Sequence, residues 1–471
     1  MSPWKRFNRN ALRSPMHLER LEQRLPLAGD VTAILTGSTL RLAGDNLAND
    51  VMVTSAAGGR IAVIGINTTI NGGTAAFVSH RAVTSIIANF HGGDDAAGFG
   101  NSAADYASQR QFTSLATSPV SDWLGEQESP ASFDVFAVQA MIDEVAGGVT
   151  TFSIPGRLTV TTGDGNDSVG IAGDISGRVL VRLGSADVGN GLVIGSEFTA
   201  SHLGGGVIVK GGDRNDFVAI GNVSVSGTVS AALGDGTNWM IVAGDADRPA
   251  TIGAFAYTGG ANIDAVMLAG DVTVQKDVRI FTGSQGEDSV SFYTVDDGGT
   301  VTVRGNAIVN TGNGGDTVDL VGKIQGTVSV TTGGGQDTVS VSSSVGWITS
   351  DGSDPVPVFE AAGSSAIGLD LTINTGAGND LISIGTSTVG RYVTINAGSG
   401  DDDVWIDTMQ VQRNLFVRLG EGDDSLKITN GKAFAAFLYG GDGTNSLSTD
   451  AATQAGSRTL KYFRFQAVAN G

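Results

Sequence analysis

The sequence predicts an all-β protein, a parallel β-helix (a solenoid) with coils of about 22 residues. Two observations lead to this fold. A glycine-rich turn that ends in an acid or an amide returns along the chain, as in "TTGDGNDSVGI", "NTGNGGDTVDL", "TTGGGQDTVSV", "NTGAGNDLISI", "NAGSGDDDVWI" and "RLGEGDDSLKI". Apolar and polar residues alternate on both sides of each turn, and the apolar positions keep one phase relative to the acid.

The turns set the period of the repeat. Aligned on the acid or amide, the copies lie at Asp167, Asp216, Asn238, Asp264, Asp288, Asp316, Asp337, Asp380, Asp402, Asp424 and Asn445, with a degenerate copy near Asn190. The spacing clusters near 22 residues. The interval from Asp337 to Asp380 is 43 residues, which is two periods or one period with an insertion.

The apolar positions predict the strands of one coil. In the copy centred on Asp402, Val404 and Ile406 follow the acid, whereas Val393 and Ile395 precede it. Each pair has a period of two, so each predicts a short strand with one buried face. A third apolar point follows about nine residues after the acid in several copies. A single coil cannot bury its inward face, but stacked coils can, because neighbours lie at the ~4.8 Å strand spacing.

Composition excludes several classes of protein. Seventy glycines stand against nine prolines, and 41% of residues are hydrophobic, which is unlike collagen or a disordered linker. The absence of cysteine excludes disulfides and thiolate metal sites, and four scattered histidines argue against a histidine-based metal centre. A net charge of −20 argues against nucleic acid as a partner. No apolar run approaches the ~18 residues of a membrane span.

The first half of the chain divides into three parts. Residues 1–30 have a net charge of +3 and are interpreted as a basic export- or targeting-like segment, although a basic tail without that role has the same composition. Residues 31–95 repeat the pattern more loosely and predict the first coils. Residues 96–150 lack the pattern and predict an excursion with one helix, for which Ser132 is the candidate N-cap and Gly147 the stop.

The second half is the main β-helix. It is predicted over residues 151–471, with a loop insertion at 342–365. The final "RTLKYFRFQAV" is interpreted as a C-terminal capping strand over the open end. Any long helix is therefore expected only within 1–30 or 96–150.

The acidic turns admit a structural and a metal-binding interpretation. In the structural one, Asp and Asn oxygens accept backbone N–H groups and glycine supplies positive φ. Stacked carboxylates repel one another, however, and a calcium ion would relieve that repulsion. The sequence therefore also predicts weak Ca²⁺ binding at one corner, with carboxylate ligands at Asp380, Asp401, Asp402, Asp423 and Asp424.

Catalysis has little support in the sequence. The acids recur at corners of the repeat and do not form one non-repeating constellation, so they are weak candidates for general acid–base work. The most enzyme-like cluster is Asp213-Arg214-Asn215-Asp216, which is also readily explained as a decorated turn. We therefore assign no catalytic residue. Because many β-helical proteins cleave acidic polysaccharides, a polysaccharide lyase or hydrolase remains the alternative.

The amino-terminal segment "HLERLEQRLPLAGDV" carries a resemblance to a known family. Its Leu18-Glu19, Leu21-Glu22, Arg24-Leu25 and Leu27-Ala28 pairs resemble the LE-x-R-x-L-A-type segment of planctomycete surface and secreted proteins with β-helical repeats. Arg20 and Pro26 depart from the family pattern. The resemblance implies export to the bacterial cell surface or beyond. It implies no enzymatic activity.

Together these observations predict a non-enzymatic, exported structural or adhesive scaffold. The outward strand positions, rich in Thr, Ser and Asn, suggest glycans or other surface proteins as partners. A calcium-dependent adhesion module is a third interpretation.

Overall fold

The computed structural model describes residues 29–104, 106–107, 135–196, 199–294, 299–348, 356–361 and 364–470. It is a parallel β-solenoid of about 13 turns with coils of about 23 residues. The predicted fold class is therefore confirmed. Ser132, the candidate N-cap, and residues 1–28 lie outside the described residues.

Each coil contributes a strand that ends at the glycine-rich corner. We call these the pre-corner strands, and their pairing from coil to coil is parallel. Their bounds are Thr39–Ala43, Ser85–Asn89, Leu158–Thr161, Val179–Arg182, Val207–Lys210, Val223–Gly234, Ala250–Gly259, Val278–Phe281, Ala307–Asn310, Val328–Gly334, Leu371–Ala377, Val393–Ser399, Met409–Glu421, Lys432–Asp442 and Thr459–Phe463.

A second strand of each coil starts at or just after the corner. These post-corner strands also stack in parallel. They are Asp50–Ala56, Ala96–Phe99, Ser168–Ile171, Gly189–Ile194, Asn215–Gly221, Asn238–Gly244, Asp264–Gly270, Ser289–Tyr293, Thr317–Leu320, Thr338–Val341, Leu381–Ile384, Asp403–Asp407, Ser425–Thr429, Ser446–Thr449 and Ala467–Asn470.

Short third strands complete most coils, at the apolar point predicted about nine residues after the acid. In four coils the third and pre-corner strands are one long strand, so the third element is part of a range given above. The separate short strands are Ser153–Ile154, Asp174–Ile175, Ser201–Leu203, Val272–Val274, Thr302–Val303, Lys323–Ile324, Ser365–Ile367 and Ser387–Val389, with Asp30–Thr36 and Thr69–Ile70 in the first coils.

A few strands interrupt the parallel stack. Asp30–Thr36 pairs antiparallel with its neighbour Thr39–Ala43. Arg60–Gly65 pairs antiparallel with a post-corner strand and with Phe77–Val78. Ser343–Ile348 and Val356–Ala361 form an antiparallel hairpin. The hairpin lies within the insertion predicted at 342–365, so the interval from Asp337 to Asp380 is one coil plus an insertion.

The inward apolar residues form one core along the solenoid. The alternation that predicted Val393, Ile395, Val404 and Ile406 as buried is confirmed, since none of these side chains exceeds 2% exposure. The inward side chains belong to one continuous cluster, and the strands that carry them pair in register from coil to coil, so the core follows the solenoid axis as parallel apolar rows. This burial supplies the hydrophobic stabilisation that a lone coil lacks.

The described helices lie outside the main stack. Helix α1, Val135–Ala146, is the helix predicted within 96–150, and Gly147 follows its end with φ +60°. Ile142 and Ala146 on this helix pack with Met52 and Tyr106 in a separate small core. Helix α2, Ala451–Gly456, is short and has Asp450 as its N-cap.

Two boundaries differ from the sequence prediction. The excursion leaves the coil after the strand Ala96–Phe99, which pairs with the coils on both sides of it, so its start is a few residues later than 96. The proposed capping strand is instead two strands, Thr459–Phe463 and Ala467–Asn470, that continue the stack by one coil. The apolar alternation of this segment fits a further coil as well as it fits a cap, so the sequence alone could not separate the two.

Candidate functional site: a carboxylate ladder inside the corner

The acids and amides of the corner form a continuous hydrogen-bonded ladder inside the solenoid. We call this set the inner ladder; its side chains are buried except for the exposed Gln466 at the last rung, and each lies on the next coil from its neighbour. Its members are Asn49, Asp95, Asp167, Asn190, Asp216, Asn238, Asp264, Asp288, Asp316, Asp337, Asp380, Asp402, Asp424, Asn445 and Gln466.

At most rungs a backbone N–H donates to the side-chain oxygen of the next coil. Asp380 N lies 2.9 Å from Asp402 Oδ1, Asp402 N lies 3.0 Å from Asp424 Oδ1, and Asp424 N lies 2.9 Å from Asn445 Oδ1. At these three residues a side chain takes the place of a backbone carbonyl as acceptor, whereas the N–H of Asn238 donates to the Ile263 carbonyl oxygen at 2.9 Å. The side-chain acceptor ties each coil to the next.

Amides at three rungs donate to carboxylates, and at the first of them Asn49 Nδ2 lies 3.0 Å from Asp95 Oδ1. Asn190 Nδ2 lies 3.1 Å from Asp216 Oδ1, and Asn238 Nδ2 lies 2.9 Å from Asp264 Oδ1. Asn238 Nδ2 also lies 2.9 Å from the Gly234 carbonyl oxygen of its own turn. An amide can therefore replace a carboxylate in the ladder, keeping the acceptor and adding a donor.

Burial raises the pKa of the ladder carboxyls. Desolvation is the largest cause in each case, and it raises the pKa of Asp402 and Asp264 to about 7 and that of Asp95 to about 8. The neighbouring carboxylates Asp380 and Asp424 raise the pKa of Asp402 further, against the lowering effect of its bond from the Asp380 N–H. The Oδ2 atoms of Asp402 and Asp424 are buried and have no hydrogen-bond partner.

A second row of polar side chains lies beside the ladder on the outside of the corner. Asp423 N lies 2.8 Å from Asp401 Oδ1, and Asp401 N lies 2.9 Å from Asn379 Oδ1. Asp423 Oδ1 in turn accepts from the Thr444 N–H. These bonds are exposed to solvent. The corner thus has an inner and an outer row of side chains, and in both rows side-chain oxygens accept backbone N–H groups of the neighbouring coil.

The five predicted calcium ligands divide between these rows. Asp380, Asp402 and Asp424 are inner-ladder residues and at most 3% exposed. Asp401 and Asp423 belong to the outer row. Among the described residues, no group of three or more His, Asp or Glu is arranged so that it could hold a metal ion. Calcium binding at this corner stays a prediction, which the following variant tests.

We expect Asp402→Asn to raise the melting temperature at pH 8, by about 1–3 °C. The amide keeps an oxygen for the Asp380 N–H and removes a buried charge between two carboxyls. Melting curves of both proteins, with calcium and with a chelator, measure the effect. If calcium bridges the corner, the variant should instead lose the stabilisation that calcium gives the native protein.

The control for this experiment is Asp423→Asn. It removes one carboxylate from the same corner, but from the exposed outer row. An equal gain in both variants would mean that general charge repulsion, not burial, determines the stability of the corner. A calcium-dependent shift that is identical in native and Asp402→Asn proteins would end the metal hypothesis at this residue.

The remaining candidate cluster is part of the corner. Asp216 is an inner-ladder residue, and the Asn215 Oδ1 accepts from the Thr237 N–H at 2.9 Å. Asp216 Oδ2 accepts from the Gly212 N–H of its own turn at 3.0 Å, so both side chains have bonds that hold the corner. Shallow depressions among the described residues include one of ≈ 220 Å³ beside helix α1 at Gln139 and Asp143 and one of ≈ 250 Å³ at Phe416 and Tyr439. Neither depression is lined by an inner-ladder carboxyl.

Comparison with family models, with curated proteins and with solved structures gives no match to this chain. Among the described residues, no helix is both long and apolar enough to cross a membrane.

Proposed function

We propose that this chain is an exported, non-enzymatic β-helical scaffold with a structural or adhesive role at a bacterial cell surface. The proposal rests on where the carboxyls of the corner lie and on which groups they bond. The conspicuous carboxyls of the repeat are buried and bond the backbone of the neighbouring coil, as Asp402 and Asp424 do. A carboxyl in that position stabilises the stack and is out of reach of a polymeric substrate.

The geometry of a β-helical lyase or hydrolase would be different. Such an enzyme needs acids and bases that converge on one groove, where they reach the same sugar. In the described part of the chain, the exposed corner acids Asp401 and Asp423 lie on consecutive coils and accept backbone N–H groups. The fold is compatible with both functions, and it is the placement of the carboxyls that favours the scaffold.

Export is proposed from the amino-terminal segment. The basic residues 1–28 precede the first strand and resemble the head of planctomycete surface proteins. A location outside the cell is also consistent with calcium binding at the corner, because the extracellular calcium concentration is high enough to occupy weak sites.

A depolymerisation assay separates the scaffold from the enzyme. We expect incubation with polygalacturonate, alginate, xylan and β-glucan to produce neither new reducing ends nor the ultraviolet-absorbing unsaturated ends that lyases generate. An Asp213→Asn, Arg214→Ala double variant is the matched control, since it removes the most enzyme-like cluster. Cleavage by the native protein that this variant lacks would establish the enzyme alternative instead.

A further inference from the structure

An exposed aromatic cluster lies on the outward side of the pre-corner sheet. We call it the aromatic platform; it consists of Phe416, Phe437, Tyr439 and Phe463, on three successive coils. Phe416 and Phe437 stack face to face, with ring centroids 5.3 Å apart and an angle of 10° between the ring planes. Tyr439 is 38% exposed and Phe463 is 53% exposed. The platform lines a shallow depression of ≈ 250 Å³.

A row of planar polar side chains continues from the platform along the same face. Asn374, Asn396 and Arg418 occupy equivalent positions on consecutive coils, in register with Tyr439 and Phe463. Asn396 Nδ2 lies 2.6 Å from Asn374 Oδ1, and Arg418 Nη1 lies 3.4 Å from Asn396 Oδ1. The row therefore presents fixed donors and acceptors beside the aromatic rings.

The charge of this surface favours an uncharged ligand. Glu421 and Asp442 lie at the corner ends of their pre-corner strands. Around the platform itself the outward positions carry no Asp or Glu, although the chain has a net charge of −20; these positions are Thr372, Asn374, Thr394, Asn396, Phe416, Arg418, Phe437 and Tyr439. Arg464 lies over Tyr439 and is paired with Asp442, so this cation is already neutralised. The overall negative charge would repel a polyanion. A neutral molecule with many hydroxyl groups is not repelled by the negative charge of the chain, and its binding leaves no charged side chain buried without a partner.

We propose that the aromatic platform and its polar row bind an uncharged polysaccharide. This inference deepens the proposed scaffold function, because it names the ligand of an adhesive surface. Aromatic ring faces carry partial negative charge and attract the polarised C–H groups on the flat face of a sugar ring. The hydroxyls at the edge of the sugar can bond the amides of Asn374 and Asn396 and the guanidinium of Arg418.

The geometry suits a linear polymer. Successive coils lie at the ~4.8 Å strand spacing, so the platform rings and the polar side chains form straight rows along the solenoid axis. The strands that carry Phe416 and Phe437 pair on both sides with other strands, which keeps these rings in a fixed arrangement. A rigid, nearly flat row of this kind accepts consecutive sugar rings of one chain with little ordering of the protein.

Affinity electrophoresis of the full chain tests the proposal. The gels contain hydroxyethyl cellulose, galactomannan, xylan or dextran as neutral probes, and polygalacturonate as the charged contrast. We expect at least one neutral probe to retard the native protein, and a Phe437→Ala, Tyr439→Ala double variant to bind it about tenfold more weakly. Phe281→Ala is the matched control, because Phe281 is a 42% exposed ring on the same face, distant from the platform. It should bind like the native protein.

Three results would overturn the proposal. The first is no retardation by any neutral probe, which would leave the depolymerisation result, and hence the scaffold function, untouched. The second is a pattern of retardation that the platform does not explain. Either the double variant, folded as its unchanged melting temperature shows, is retarded as strongly as the native protein, or polygalacturonate alone retards the native protein. The third is a dimer of the native protein in sedimentation that the double variant abolishes, since a second copy of the chain would then be the occupant of the platform.

Discussion

The protein is expected to melt at a higher temperature at pH 5 than at pH 8, by about 5 °C or more. The cause is the inner ladder. Burial holds the pKa of Asp402, Asp216 and Asp264 at about 7, whereas the ordinary value is 3.8. Between these values the folded state binds more protons than the unfolded state, so stability falls as pH rises. The contribution of the ladder should be fully present below about pH 4 and should fall as the pH rises through 7; it becomes constant only above pH 8, once Asp95, whose pKa is about 8, is ionised.

General charge repulsion predicts the same direction and has to be separated from the ladder. A net charge of −20 at pH 7 decreases as the pH falls, which also favours the compact state. Salt screens exposed charges far more than buried ones. The pH dependence of the melting temperature should therefore persist in 0.5 M NaCl. It should be weaker in Asp402→Asn than in Asp423→Asn, which removes only an exposed carboxylate.

The opposite profile would contradict the ladder. A melting temperature that rises from pH 5 to pH 8 would mean that the carboxylates are stabilised in the ionised form, as in an ordinary surface ion pair. It would also restore the case for a cation at the corner, because a bound cation lowers the pKa of its ligands. Repeating the titration with calcium and with chelator distinguishes these two causes.

The sequence predicts the fold well because burial here depends on simple alternation. Val404 and Ile406 share a face with the acid two residues earlier, and the same parity holds in every clear copy of the repeat. That parity also contained the information that Asp402 points inward while Asp401 points outward. The sequence interpretation grouped the acids of one corner as a single set of candidate calcium ligands and did not use the parity to separate them.

What the sequence could not supply is the pairing between coils. The bond from the Asp337 N–H to Asp380 Oδ1 crosses the whole insertion that contains the hairpin Ser343–Ile348 and Val356–Ala361. The repeat pattern alone left open whether these two residues, 43 positions apart, lie on adjacent coils or two coils apart. The aromatic platform was missed for a similar reason. Phe416, Phe437 and Phe463 lie about 21–26 residues apart in sequence and meet only when the coils are in register.

Replacing Gly398 by alanine is expected to destabilise the carboxy-terminal coils severely, by at least about 4 kcal/mol. Gly398 has φ +128°, and a Cβ atom built there would lie 1.8 Å from the Gly376 carbonyl oxygen of the preceding coil. The equivalent Gly420 would meet Gly398 at 1.7 Å. The obstacle is backbone on a packed coil, so no side-chain rotation relieves it. The corner would have to open, which would break the nearby bond from Asp380 N to Asp402 Oδ1.

Gly58→Ala is the control that separates the steric clash with the neighbouring coil from the cost of a positive φ angle. Gly58 also has positive φ, +76°, but a Cβ built there meets nothing within 4 Å. Its replacement should cost only the ~1–2 kcal/mol of a left-handed backbone with a side chain. Hydrogen exchange locates the effect, because neighbouring repeats of a solenoid can unfold separately. Gly398→Ala should lose protection first in residues 371–450, and less in residues 158–260. Equal destabilisation by both variants would show that Gly398 is needed only for its positive φ, and that the coils do not approach as closely at the corner as the ladder requires.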